Sequence, residues 1–106
     1  MSATETPVLE PGVDEQVEAQ QRPRLAPTWK VLFHDDDTTT MDFVTTVLVR
    51  FFGHDLAEAT RIMLSVHQGG VGVAGIYPLE LAELKREQVL SAARPHYPLR
   101  VTLEPA

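Results

Sequence analysis

The chain has no cysteine, which removes disulfides, thiolate chemistry and zinc-thiolate sites together. It has no apolar run long enough to span a bilayer, and its acidic first residues lack the basic and apolar regions of a secretory signal. A cytoplasmic protein is therefore expected. Basic side chains are scarce as well: 9 Lys and Arg stand against 15 Asp and Glu, for a net charge of −6. Nucleic-acid binders concentrate positive charge on one face, so neither a nucleic-acid nor a membrane partner is expected. Aromatics are few, and Trp29, Phe33, Phe43, Phe51, Phe52, Tyr77 and Tyr97 are all of them. Residues 1–27 contain none, carry Pro7, Pro11, Pro23 and Pro27, and set Glu5, Glu10, Asp14, Glu15 and Glu18 against Arg22 and Arg24. Such a segment cannot bury enough apolar surface to offset the entropy of ordering it. Residues 1–27 are expected to be a disordered arm, and residues 28–106 one small domain.

Within the domain, the hydrophobic spacing separates helices from strands. Trp29 to Phe33 reads as a buried strand. Met41, Val44, Val47, Leu48, Phe51 and Phe52 recur at helical spacing, with Thr39 as the expected cap, Asp42 in the first turn and Gly53 as the stop. Asp55 and Glu58 open a second helix whose apolar face holds Ala59, Ile62, Met63 and Val66, ending at Gly69-Gly70. Val71, Val73, Ile76 and Tyr77 suggest a strand. Pro78 suits the first position of a third helix, running to about Arg94. That helix turns Leu81, Ala82, Val89, Ala92 and Ala93 inward, and Glu80, Glu83, Lys85, Arg86 and Glu87 outward. Leu99 to Leu103 alternates as a last strand. The order β-α-α-β-α-β predicts an α+β fold of three helices packed on a small three-stranded sheet; periodicity alone leaves the strand order open.

The densest chemistry is His34-Asp35-Asp36-Asp37-Thr38-Thr39-Thr40-Met41, in the loop between the first strand and the first helix. Three adjacent carboxylates repel one another unless a cation comes to them. Ionised carboxylates only accept hydrogen bonds, and a neutral histidine adds one more acceptor. Met63 and His67, four residues apart, share one helix face, so an imidazole can border a thioether-walled pocket. These residue types suit recognition of a peptide's free amino terminus with its first side chain. They also suit a solvated, helix-capping turn or a hard-metal site. Adjacent residues seldom converge on one ion, and the alternation of a calcium loop is absent, as is a zinc-binding H-E-x-x-H helix. No metal, cofactor or catalytic group is expected.

Four blocks then carry a resemblance: Trp29-Lys-Val-Leu-Phe-His-Asp-Asp-Asp-Thr-Thr-Thr-Met-Asp-Phe-Val44, Ala59-Thr-Arg-Ile-Met-Leu-Ser-Val-His67, Gly75-Ile-Tyr-Pro-Leu-Glu-Leu-Ala-Glu-Leu-Lys85 and Pro98-Leu-Arg-Val-Thr-Leu-Glu104. In order and spacing they resemble the ClpS family of adaptors over residues 28–106. The resemblance implies a mainly antiparallel sheet and an adaptor rather than an enzyme. Such an adaptor binds proteins that begin with a large hydrophobic residue, Leu, Phe, Tyr or Trp, and delivers them to a Clp unfoldase. It further implies that Asp35, Asp36 and His67 surround the α-amino group. Asp37, Thr39, Met41, Val44, Met63, Val66 and Leu99 would border the side-chain pocket, with Met41 rejecting β-branched first residues. Glu80 and Lys85 would dock on the N-terminal domain of a ClpA- or ClpC-type unfoldase, and the protein is expected to be monomeric. One departure stands out: Asp35 occupies a position that is usually Asn in this family. An alternative therefore remains, a ClpS-like interaction domain that docks on the unfoldase but has altered or lost peptide binding.

Overall fold

The computed structural model describes residues 26–106. The arm expected at residues 1–27 falls almost wholly outside the described residues. Six elements follow in the expected order: β1 (Thr28–His34), α1 (Met41–Phe52), α2 (Leu56–Gly69), β2 (Val71–Pro78), α3 (Leu79–Ala93) and β3 (Arg100–Pro105). The sheet order is β2-β1-β3, antiparallel on both sides of β1. β1 is central because its run Val31-Leu32-Phe33 is buried on both faces. Val31 and Phe33, each 0% exposed, point into a core shared with Val44, Val47 and Leu48 of α1, Ala59, Ile62 and Val66 of α2, and Ala82, Val89 and Ala93 of α3. Burial of Phe33 and Leu48 alone removes enough apolar surface to contribute about 1.5–3 kcal/mol each.

Capping explains the helix limits. Thr40, not Thr39, caps α1: its Oγ1 accepts the Phe43 amide at 3.1 Å. Gly53, at φ 73°, ends that helix in a left-handed turn that only glycine adopts without strain, and the His54 amide returns to the Leu48 carbonyl. Asp55 caps α2 by accepting the Glu58 amide at 2.8 Å. Pro78 precedes α3 as its N-cap rather than its first turn.

The third helix departs from its expected faces. Leu81 is 39% exposed, while Lys85, placed outward by periodicity, turns inward. Its ammonium donates to the Phe51 carbonyl at the end of α1 and lies 6.0 Å from the Phe52 ring centre and 5.8 Å from that of Tyr77. A cation at a helix C-terminus and over aromatic faces is favourable on both counts. His54 is also less peripheral than its loop position suggested. It donates from Nε2 to the Ala74 carbonyl at 2.6 Å and stacks on Phe52. Ala74 is the residue left unpaired where the β1–β2 register shifts between Val31 and Leu32, so His54 satisfies a carbonyl beside that irregularity.

Candidate functional site

The acidic loop joins the last residue of β1 to the first of α1, and both ends are fastened. His34 shares a 2.7 Å hydrogen bond with the Thr102 hydroxyl of β3. Burial and then the Arg100 charge push His34 below the ordinary histidine value, so the neutral ring makes that bond at neutral pH. The Asp35 amide donates to the Gly70 carbonyl at 2.9 Å. Gly70 sits at φ 89° at the end of α2, and this bond places the loop against His67, three residues earlier. Asp35 Oδ1 and His67 Nδ1 stand 3.9 Å apart, with both side chains partly open to solvent.

Asp36 faces the other way, into its own loop. One oxygen accepts the Thr38 and Thr39 amides at 2.8 and 2.7 Å, and the other accepts the Thr39 hydroxyl at 2.7 Å. Partial burial pushes the Asp36 carboxyl up, but the Thr39 and Thr38 bonds outweigh it and hold the group below the ordinary carboxylate range. Asp36 thus organises the turn and retains little acceptor capacity for a guest. A depressed folded-state value means stability that is complete above the unfolded carboxylate value and is lost as pH falls through the folded one. Urea midpoints followed from about pH 7 to about pH 3 should fall less steeply for Asp36→Ala than for the parent chain, which alone has this contribution to lose. Parallel curves would refute this role.

The residues expected around the first side chain fall into two groups. Val44, Val66 and Leu99 are buried in the core, at 5%, 3% and 5% exposure. Met63 is half-buried against that core, and Met41 is 46% exposed. Thr39 is half-buried and Asp37 exposed. Three surface hollows of about 540, 350 and 410 Å³ open elsewhere on the molecule, and none has Met41, Met63 or Leu99 in its lining. Sequence reasoning passed over Tyr97. Its ring packs on Phe43 with centroids 4.8 Å apart, and its hydroxyl lies 3.5 Å from the Thr40 Oγ1 that caps α1. The only hint in the sequence is an aromatic two residues before Leu99. Of the expected docking pair, Glu80 is exposed on the first turn of α3, whereas Lys85 is half-buried and engaged with α1.

Comparison with known proteins gives a consistent result. The family model described as ATP-dependent Clp protease adaptor protein ClpS matches residues 24–102. The ATP-dependent Clp protease adapter protein ClpS of Desulfatibacillum aliphaticivorans is 51% identical over 92 residues, which cover 86% of this chain and 86% of that protein. The ClpS of Caulobacter vibrioides (strain NA1000 / CB15N) is 52% identical over 85 residues, covering 79% of this chain and 75% of the relative. Among solved structures, Agrobacterium tumefaciens ClpS2 bound to L-phenylalaninamide superposes with a TM-score of 0.73 at 29% identity, covering 77% of this chain and all of that one.

Proposed function

The chain belongs to the ClpS family of ATP-dependent Clp protease adaptor proteins, and from that membership we propose that it captures proteins by a free amino terminus and a large hydrophobic first side chain. It delivers them to a Clp AAA+ unfoldase for degradation. The observation that carries the reading is the 3.9 Å gap between Asp35 Oδ1 and His67 Nδ1. That spacing is too wide for a direct hydrogen bond, yet a single nitrogen can sit about 2.9 Å from both acceptors. An α-ammonium, with three donors and a positive charge, suits such a gap. Asp36, bonded to the Thr38 and Thr39 amides and the Thr39 hydroxyl, holds the turn that presents Asp35 and so acts on the amine through that turn. The A. tumefaciens protein bound to L-phenylalaninamide supports a guest of this chemistry: a free amine beside an aromatic side chain.

Val44, Val66 and Leu99 form the floor under the first side chain, bordered by Thr39 and Asp37. The walls that move are Met41 and Met63, whose unbranched thioether chains repack around guests of different shape. Loss of peptide binding through Asp35 is not the favoured reading, because an ionised acceptor attracts an ammonium more strongly than an amide oxygen does. Seating Leu or Phe contributes about 1.5–3 kcal/mol, so a Leu-initiated peptide should bind roughly ten- to a hundredfold more tightly than the same peptide beginning with Gly. Fluorescence-anisotropy titration of the two peptides tests this, and equal affinities would reject the pocket.

The rim has a pH dependence with a definite sign. Protonated His67 is a donor and a cation, so acid replaces an acceptor with a charge that repels the ammonium. Affinity for a Leu-initiated peptide should therefore fall in acid, and a His67→Gln variant should flatten the profile. Affinity that holds or rises in acid would remove His67 from the amine site. Docking is assigned to α3 on a ClpA- or ClpC-type N-terminal domain, with Glu80 as the exposed contact at its start and Lys85 five residues on, its ammonium held at the Phe51 carbonyl. The adaptor acts as a cytoplasmic monomer.

A further inference from the structure

The 410 Å³ hollow opens between the start of β1 and the first turn of α3, lined by Ala26, Pro27, Trp29, Pro78, Leu79 and Glu80. Five of these residues are apolar. The sixth, Glu80, is an exposed carboxylate that makes no ion pair among the described residues. Leu79 is 38% exposed at its edge, and α3 begins without a side chain bonded to its first amides. The surface therefore presents apolar area, a negative charge and unpaired N–H groups in one place.

The chain itself carries the complement at the point where it leaves this hollow. Ala26 is one of its walls, so Leu25 lies one residue, about 3.8 Å between Cα atoms, from the rim. Arg24, two residues from Ala26, can be no more than about 7 Å from it along the backbone before its own side chain extends. Arg22 and Arg24 are the sole bases among residues 1–25. Pro23 and Pro27 bias Arg22 and Ala26 toward extended backbone, which limits the conformational freedom lost on docking.

We propose that residues Arg22 to Leu25 dock on the chain's own hollow, with Leu25 against Trp29 and Leu79 and Arg24 paired with Glu80. Backbone carbonyls of the segment accept from the first amides of α3. Tethering makes the contact intramolecular, so weak individual interactions suffice. The docked segment also covers the surface assigned above to the unfoldase, so the two compete for Glu80.

Trp29 is the single tryptophan of the chain, and its fluorescence reads the cover directly. In the full chain, Leu25→Ser should raise acrylamide quenching of Trp29 roughly twofold and shift its emission to the red. Arg24→Glu should produce part of that rise, and adding Glu80→Arg to it should restore the parent value. Glu80 is exposed, and an unchanged far-ultraviolet circular dichroism spectrum confirms that each variant keeps the fold. Quenching unchanged in both single variants would overturn the proposal. Shielding that grows with protein concentration would overturn it too, by assigning the hollow to a second copy. No peptide or unfoldase enters the assay, so its outcome is independent of what Glu80 docks onto.

Discussion

Acetylation of the amino terminus of a Phe-initiated peptide is expected to lower its affinity for this chain roughly ten- to a hundredfold, with side chain and length unchanged. A charge-assisted hydrogen bond contributes about 1.5–3 kcal/mol, which corresponds to that range. An acetylated amine loses its charge and keeps one N–H, so it cannot span the 3.9 Å between Asp35 and His67 while donating to both. Asp35→Asn provides the second arm of the measurement. It should weaken the free peptide several-fold, about 1 kcal/mol, and narrow the difference between free and acetylated forms. Equal titration curves for the two peptides would leave the apolar pocket standing and remove the amine rim.

The second large effect concerns Gly72, a buried residue of β2 paired with Phe33. An added Cβ would lie 2.7 Å from Val66 Cγ2 and 3.3 Å from both the Ile62 carbonyl oxygen and the Val66 amide nitrogen. Val66 is β-branched and stiff, and the other two atoms are helix backbone, so relief requires α2 to move as a body. Gly72→Ala is expected to destabilise the fold by about 1–3 kcal/mol, more than the roughly 0.4–1 kcal/mol recovered from a less flexible unfolded chain. Because His67 follows Val66 directly, the same displacement widens its separation from Asp35 and weakens peptide binding. Gly69→Ala is the control, since a Cβ there meets nothing within 4 Å; its stability should hold or rise by about 0.5–1 kcal/mol. If Gly72→Ala matches that control in urea midpoint and affinity, α2 does not rest on β2 as described.

What could be read before the structure follows physical lines. The limits of α1 and α2 were legible because Gly53, Asp55 and Gly70 impose them through backbone geometry and local hydrogen bonds. The Thr40 cap was not, because three adjacent threonines offer the same hydroxyl, and the choice falls to Asp36, which occupies Thr39. Asp36 itself looked like a guest-facing acid; residue type alone does not separate a carboxylate that binds from one that ties a turn. The inward turn of Lys85 escaped periodicity because its long side chain reaches back to the Phe51 carbonyl and two rings contributed by other elements. The central place of β1 was implicit in its doubly buried run, but the side on which β2 and β3 pair depends on contacts far apart in sequence. Asp35 and His67, 32 positions apart, meet only because the Gly70 carbonyl takes the Asp35 amide, a bond no pattern announces.

The placement of β1 between two antiparallel neighbours also decides how the domain bears tension. A pull on the backbone at Thr28 runs along the middle strand of the sheet and loads the ladders to β2 and β3 together, in shear. An outer strand tugged from its end would instead unzip one bond at a time. Forced opening is governed by the barrier along the pulling direction, and here that barrier involves both ladders at once. An adaptor working beside a machine that drags polypeptides thus meets traction on its leading end with the most mechanically resistant strand it has.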